Sequence, residues 1–209
     1  MTELRLERVA VADLPPLDSL THVERLFLTR TPLTNLSSLR ALRQLRVLGL
    51  KLTRVSDLSP LARLTGLESL ILSFTPVGDV TPLADLTNLR SLYLTGCGVT
   101  DIAPLANLTN LERLDLGGTE ITDIGPIAKL RNLIALQLSS TRVTDLSPLA
   151  TLGKLRVLEV GDTEVSDVLP LAGLTTLQRL DARGTRVTTM PDLPGCEIVS
   201  TATFRRRRR

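Results

Sequence analysis

The chain has 209 residues, of which 46 are leucine and only 2% are aromatic. So high an aliphatic content excludes disorder over most of the length, no apolar run approaches the ~20 residues of a membrane helix, and the opening MTELRLERVA alternates charge with leucine instead of forming the apolar core of a secretory signal. The formal charge of +3 and the pI of 9.3 describe a tail: without Arg205, Arg206, Arg207, Arg208 and Arg209 the remaining 20 basic and 22 acidic residues leave −2, so basicity does not mark the body as a nucleic-acid binder.

A 22-residue period governs the chain from its first residues. Leu4 opens a column continued by Leu26, Leu48, Leu70, Leu92, Leu114, Leu136, Leu158 and Leu180. Leu6 opens a second, through Leu28, Leu50, Leu72, Leu94, Leu116, Leu138, Val160 and Ala182. Asp13, Asn35, Asp57, Asp79, Asp101, Asp123, Asp145 and Asp167 form a third, and a proline column from Pro16 to Pro170 runs in the same phase. The first strand carries Glu3, Arg5, Glu7 and Arg8, charges that discourage edge-to-edge pairing.

Residues 67–88 show one unit. Leu67, Leu70 and Leu72 fit a short strand with its apolar side inward, and Thr75 and Val77 follow on a turning segment. Asp79 reads as a cap and Pro82 as the first position of a brief 3₁₀ turn, whose Leu83 and Leu86 face the same core. No single unit can bury its own leucines; stacked units bury them against neighbours, with a parallel sheet on one side and helical turns on the other. The phase is expected to hold to the end, placing Val199, Ala202 and Phe204 on the strand columns, although the Asp column becomes Thr189 and the Pro column Asp192. Residues 1–204 thus read as a single domain of about nine 22-residue repeats with a partial closing strand at 199–204, and 205–209 as a basic tail expected to be disordered.

The pattern LxxLxLxxTxVxDxxPLAxL is similar to the leucine-rich repeat family, and the 22-residue length with phrases such as TDLSPLA, residues 144–150, resembles its internalin-like bacterial branch. The resemblance covers nearly the whole chain. It implies an α/β leucine-rich repeat solenoid, a right-handed arc with its parallel sheet on the concave side and short 3₁₀ turns on the convex side. Where that family usually has asparagine at the ninth position, this chain has Thr31, Thr53, Thr75, Cys97, Thr119, Thr141, Thr163 and Thr185, so a thinner ladder of turn hydrogen bonds is expected.

Catalysis finds little support. His22 is the lone histidine and falls in a turn. The Asp column supplies one carboxylate per repeat, too few oxygens for Ca²⁺, and Gly117-Gly118 has no following Lys-Ser to cradle phosphate. No enzyme activity, cofactor, metal or small-molecule substrate is expected. Cys97 and Cys196 lie four repeats apart on inward columns, on the order of 19 Å at a strand spacing of ~4.8 Å, beyond disulfide reach. They read as small buried hydrophobes that suit a reducing compartment, hence a cytoplasmic location; the alternative is a secreted effector exported without a classical signal.

The outward strand positions are free of packing demands. The column between the strand leucines holds Arg5, Phe27, Gly49, Ile71, Tyr93, Asp115, Gln137, Glu159 and Asp181; the flanking column includes Val47, Arg113, Ala135 and Val157. Phe27, Ile71 and Tyr93 read as apolar anchors on the concave face, extended by Val47, Leu52 and the rim residue Phe74. Asp115, Glu159 and Asp181, with Gln137 among them, read as an acidic strip that prefers basic segments. The function expected is a non-enzymatic protein–protein interaction scaffold. The alternatives are a recognition module of a larger machine or secreted bacterial effector, and a binder of nucleic acid or acidic surfaces through Arg205–Arg209.

Overall fold

Each 22-residue unit spends only three residues on regular β-structure, and the period converts these directly into strand register. The structure, a computed structural model, describes residues 2–6, 8, 20–201 and the backbone of 205–206. The strands are β1 (Glu3–Arg5), β2 (Arg25–Phe27), β3 (Val47–Gly49), β4 (Ser69–Ile71), β5 (Ser91–Tyr93), β6 (Arg113–Asp115), β7 (Ala135–Gln137), β8 (Val157–Glu159) and β9 (Arg179–Asp181). They pair in parallel in chain order, Leu4 opposite Leu26 at one end and Leu158 opposite Leu180 at the other. The middle residue of each strand from β2 to β9 is buried, while most of its neighbours point to the concave side and stay partly exposed.

Seven 3₁₀ turns, from Ser37–Ala41 to Leu169–Gly173, stack on the opposite side among the described residues. One continuous aliphatic core from Val23 to Met190 fills the space between the two layers. No helix in the described residues is long and apolar enough to cross a membrane.

The repeated polar columns hold the turns. Asp79 accepts the N–H of Thr81 at 2.8 Å, and the same bond recurs at Asp57, Asp101, Asp123, Asp145 and Asp167, with Asn35 in the first described turn. The carboxylate reaches two residues forward in an Asx-type turn, and proline is the second residue of the 3₁₀ turn, not the first as expected. At that position its missing N–H is not needed. The threonine column does tie the loops: each hydroxyl donates to the carbonyl three residues earlier, as from Thr75 to Leu72 at 2.7 Å and from Thr141 to Leu138 at 2.6 Å. These bonds stay within their own repeat. The side-chain ladder between repeats runs instead through Asn88, Asn110 and Asn132, which donate to the carbonyls of Thr65, Thr87 and Thr109 at 2.9 Å. No buried side-chain nitrogen or oxygen among the described residues lacks a hydrogen-bond partner.

The 22-residue phase breaks at the C-terminus. Ile198, not Ala202, pairs with Leu180, so the last step is 18 residues long. The closing strand expected at 199–204 is β11 (Glu197–Val199), and Ala202 and Phe204 lie outside the described residues. With Thr189 and Asp192 in place of the capping Asp and the Pro, no 3₁₀ turn forms there; β10 (Thr189–Met190) takes its place, and Gly195 at φ +76° turns the chain back early. The backbone of β12 (Arg205–Arg206), the first two residues of the tail expected to be disordered, pairs in parallel with β10. Arg207, Arg208 and Arg209 lie outside the described residues.

Candidate functional site

The strands carry two outward columns onto the concave face, and the structure places the expected anchors there. Phe27, Val47, Ile71 and Tyr93 are all half-buried, outside the core. Ile71 and Tyr93 are register partners on β4 and β5, so their side chains stand side by side. Gly49 interrupts the apolar column, and Phe27 fills the gap: a Cβ at Gly49 would lie 2.7 Å from the Phe27 ring. The Arg5 guanidinium sits 4.6 Å from the centroid of that ring. The result is an apolar stripe from Phe27 to Tyr93 with a cation over its N-terminal end.

Beyond Tyr93 the face dips. Ala135 and Val157, both small, form part of a depression of about 220 Å³ whose lining includes Tyr93, Arg113, Asp115, Gln137 and Glu159. The polar residues around it are held in place. Asp115 accepts the Thr95 hydroxyl at 2.8 Å and the Gly117 N–H at 3.0 Å. Gln137 accepts the Ser139 N–H at 2.8 Å and donates its amide to the Glu159 carboxylate. This organises the wall of the depression without closing it.

The acidic strip is shorter than expected. Asp181 is only 4% exposed, and Arg183 lies over it in a bidentate pair whose shortest contact is 2.6 Å. The Arg183 hydrogen bonds hold the Asp181 carboxyl below its ordinary range, against the opposing effect of burial. Residues 181 and 183 lie two apart and project to the same side, so this end of the face presents a guanidinium in place of a carboxylate.

A further column runs along the rim where each strand leaves the sheet. Arg8, Arg30, Leu52, Phe74, Gly96, Gly118, Ser140, Asp162 and Gly184, all 22 residues apart, have φ between +54° and +67°. Each of the first eight donates its N–H to the next repeat, as Phe74 to Thr95 at 2.8 Å and Gly96 to Gly117 at 2.8 Å, which imposes the left-handed conformation whatever the residue. Phe74 is 50% exposed and Leu52 39%. The Phe74 ring lies against Gly96, where a Cβ would come within 2.7 Å, and Lys51 Nζ stands 5.7 Å from its centroid.

Groups suited to chemistry are scattered. His22 is exposed in a turn. Cys97 is buried and its thiol donates to the Leu72 carbonyl at 3.2 Å. Cys196, expected buried, is half-buried because of the register change at the C-terminus, and its partial burial pushes the thiol up, away from thiolate reactivity. No group of three or more His, Cys, Asp or Glu among the described residues could hold a metal ion.

A solenoid with these columns defines a leucine-rich repeat protein. The family model for leucine-rich repeats in two copies matches residues 87–129 and 109–151. No curated protein matches the chain. Among solved structures, internalin C2 of Listeria monocytogenes is similar at 34% identity and a TM-score of 0.82, over 86% of this chain and 79% of that one. Another internalin of Listeria monocytogenes, InlF, is similar at 31% identity and a TM-score of 0.74, over 91% and 69%. A leucine-rich repeat protein of Leptospira interrogans superposes with a TM-score of 0.88 at 26% identity, over 94% of this chain and 54% of that one. The chain belongs to the internalin-like leucine-rich repeat proteins.

Proposed function

We propose that this protein is a non-enzymatic scaffold that binds a protein partner through its concave sheet face. Leucine-rich repeat proteins are protein-interaction modules, and the solenoid supplies a rigid curved surface for that purpose. The observation that carries the reading is the placement of scarce aromatics. The chain has three Phe and one Tyr, and Phe27, Tyr93 and Phe74 lie on the concave face or its rim, where core packing makes no use of them. Phe27, Ile71 and Tyr93 serve as apolar anchors, each worth about 2 kcal/mol when covered. The depression beside Tyr93 receives a side chain of the partner, with Glu159 and Asp115 favouring a basic one.

The test is affinity capture with the wild type beside a Phe27→Ala/Tyr93→Ala double variant. Both side chains lie outside the core, so the variant keeps its circular dichroism spectrum and stays folded, with a small fall in its unfolding midpoint from the lost Phe27 packing over Gly49. Capture of the partner is expected to disappear. Undiminished capture by a folded variant overturns the proposal.

A further inference from the structure

We propose that the N-terminal part of the rim, built from Arg8, Arg30, Lys51, Leu52 and Phe74, is a separate docking surface for an acidic peptide segment that carries an adjacent apolar side chain. The backbone gives the first reason. Leu52 and Phe74 occupy left-handed positions, φ +59° and +60°, that three other repeats give to glycine at 96, 118 and 184. A bulky residue there is strained, and these two side chains are also among the most exposed large hydrophobics of the described chain. The strain offsets what the exposed side chains contribute to folding, and the combination suits a contact made with something else.

Charge identifies the occupant. Arg8, Arg30 and Lys51, with Thr29 and Leu52, line a depression of about 240 Å³ that has no carboxylate among its described lining residues. None of the three cations forms an ion pair among the described residues, whereas Arg46, Arg90, Arg142 and Arg186 are each paired with a glutamate of an adjacent repeat. Lys51 stands beside the Phe74 ring and joins the basic part to the apolar part. At a strand spacing of ~4.8 Å the row from residue 8 to residue 74 spans about 14 Å, the length of roughly four extended residues. Two or three carboxylates beside one aliphatic or aromatic side chain match that row in length, charge and order. A polyanion is a poorer match: the body carries a net −2, and the row ends in Leu52 and Phe74 without further cations. The surface is distinct from the depression at Tyr93; it shares Phe74 with the aromatics cited for the concave face, and the Tyr93→Ala variant tests the two apart.

The test pans a phage-displayed random peptide library on the full chain and measures the enriched peptides, fluorescein-labelled, by fluorescence polarisation. Enriched sequences are expected to place Asp or Glu beside Phe, Leu or Ile. Phe74→Asn, Leu52→Asn and the double variant Arg30→Glu/Lys51→Glu each weaken their binding by about tenfold or more, while Tyr93→Ala leaves it unchanged. Asparagine tolerates left-handed backbone, so Phe74→Asn and Leu52→Asn keep or raise the melting temperature as they lose the peptide, an outcome that separates docking from a structural role. Four results overturn the proposal: no enrichment, enriched peptides without acidic residues, binding indifferent to the rim variants, or a rim that takes single-stranded DNA or phosphatidylserine vesicles instead of peptides.

Discussion

Replacing Gly96 and Gly118 by alanine separates two contributions that the left-handed rim combines. The two positions have nearly the same backbone, φ +65° and +66°. At Gly118 the nearest atom to a new Cβ is 3.6 Å away, an ordinary contact, so Gly118→Ala costs only the left-handed strain of about 1–2 kcal/mol. At Gly96 the same Cβ would lie 2.7 and 2.9 Å from two atoms of the Phe74 ring. The ring must swing into solvent, losing its contact with Gly96 and with Lys51, a further cost of about 1 kcal/mol. Urea unfolding followed by circular dichroism measures both. Gly96→Ala is expected to be the more destabilising, and the excess is expected to vanish when both variants are made in a Phe74→Asn background. Equal losses at the two sites, or an excess that survives without the ring, would show that Phe74 does not lie across Gly96.

Three further predictions concern the polar columns. The Thr81 hydroxyl and amide hold the Asp79 carboxyl below its ordinary range, the Ser147 hydroxyl and amide do so for Asp145, and the Ser59 amide and hydroxyl for Asp57. A folded value below the unfolded one stabilises above about pH 4 and is lost as the pH falls through the lowered folded values. The triple variant Asp57→Asn/Asp79→Asn/Asp145→Asn should therefore have a lower urea midpoint at neutral pH and a flatter decline in acid; an unchanged acid slope would exclude the caps as its source. Arg183→Ala leaves the Asp181 carboxylate, 6% exposed, without its partner. Because Arg183 itself is 59% exposed, water screens the pair and the loss at pH 7 is modest, shrinking as Asp181 becomes protonated in acid; a loss that grows in acid contradicts this assignment. Asn110→Ala removes the bond to the Thr87 carbonyl and should cost about 1 kcal/mol or less in chemical denaturation; stabilisation would show that the ladder between repeats is idle.

The repeat was legible because stacking demands the same chemistry every 22 residues: an interior leucine, a capping carboxylate, a proline that needs no N–H. The outward direction of Phe27, Ile71 and Tyr93 followed from strand alternation alone. The rim column was hidden because its conformation is set by a backbone bond between repeats, so arginine, leucine, phenylalanine, serine and aspartate share it; only the glycines at 96, 118 and 184 signalled it. The burial of Asp181 could have been read from Arg183, two residues on and on the same face. Arg113, Ala135 and Val157 were visible as an outward column, but that two small side chains open a depression between larger ones is a fact of three dimensions. The four-residue shortening at the end had a trace in the alternation of Glu197 and Ile198, which the strict phase of the preceding repeats overrode.

Where a partner sits is tested most directly by photo-crosslinking. A benzophenone side chain replaces Tyr93 on the concave face or Asn107, exposed on a 3₁₀ turn of the opposite side, and each protein is irradiated with its captured partner. A covalent adduct from position 93 and none from position 107 is the expected result. An adduct from position 107 alone would place the partner on the convex turns and contradict the role assigned to the sheet.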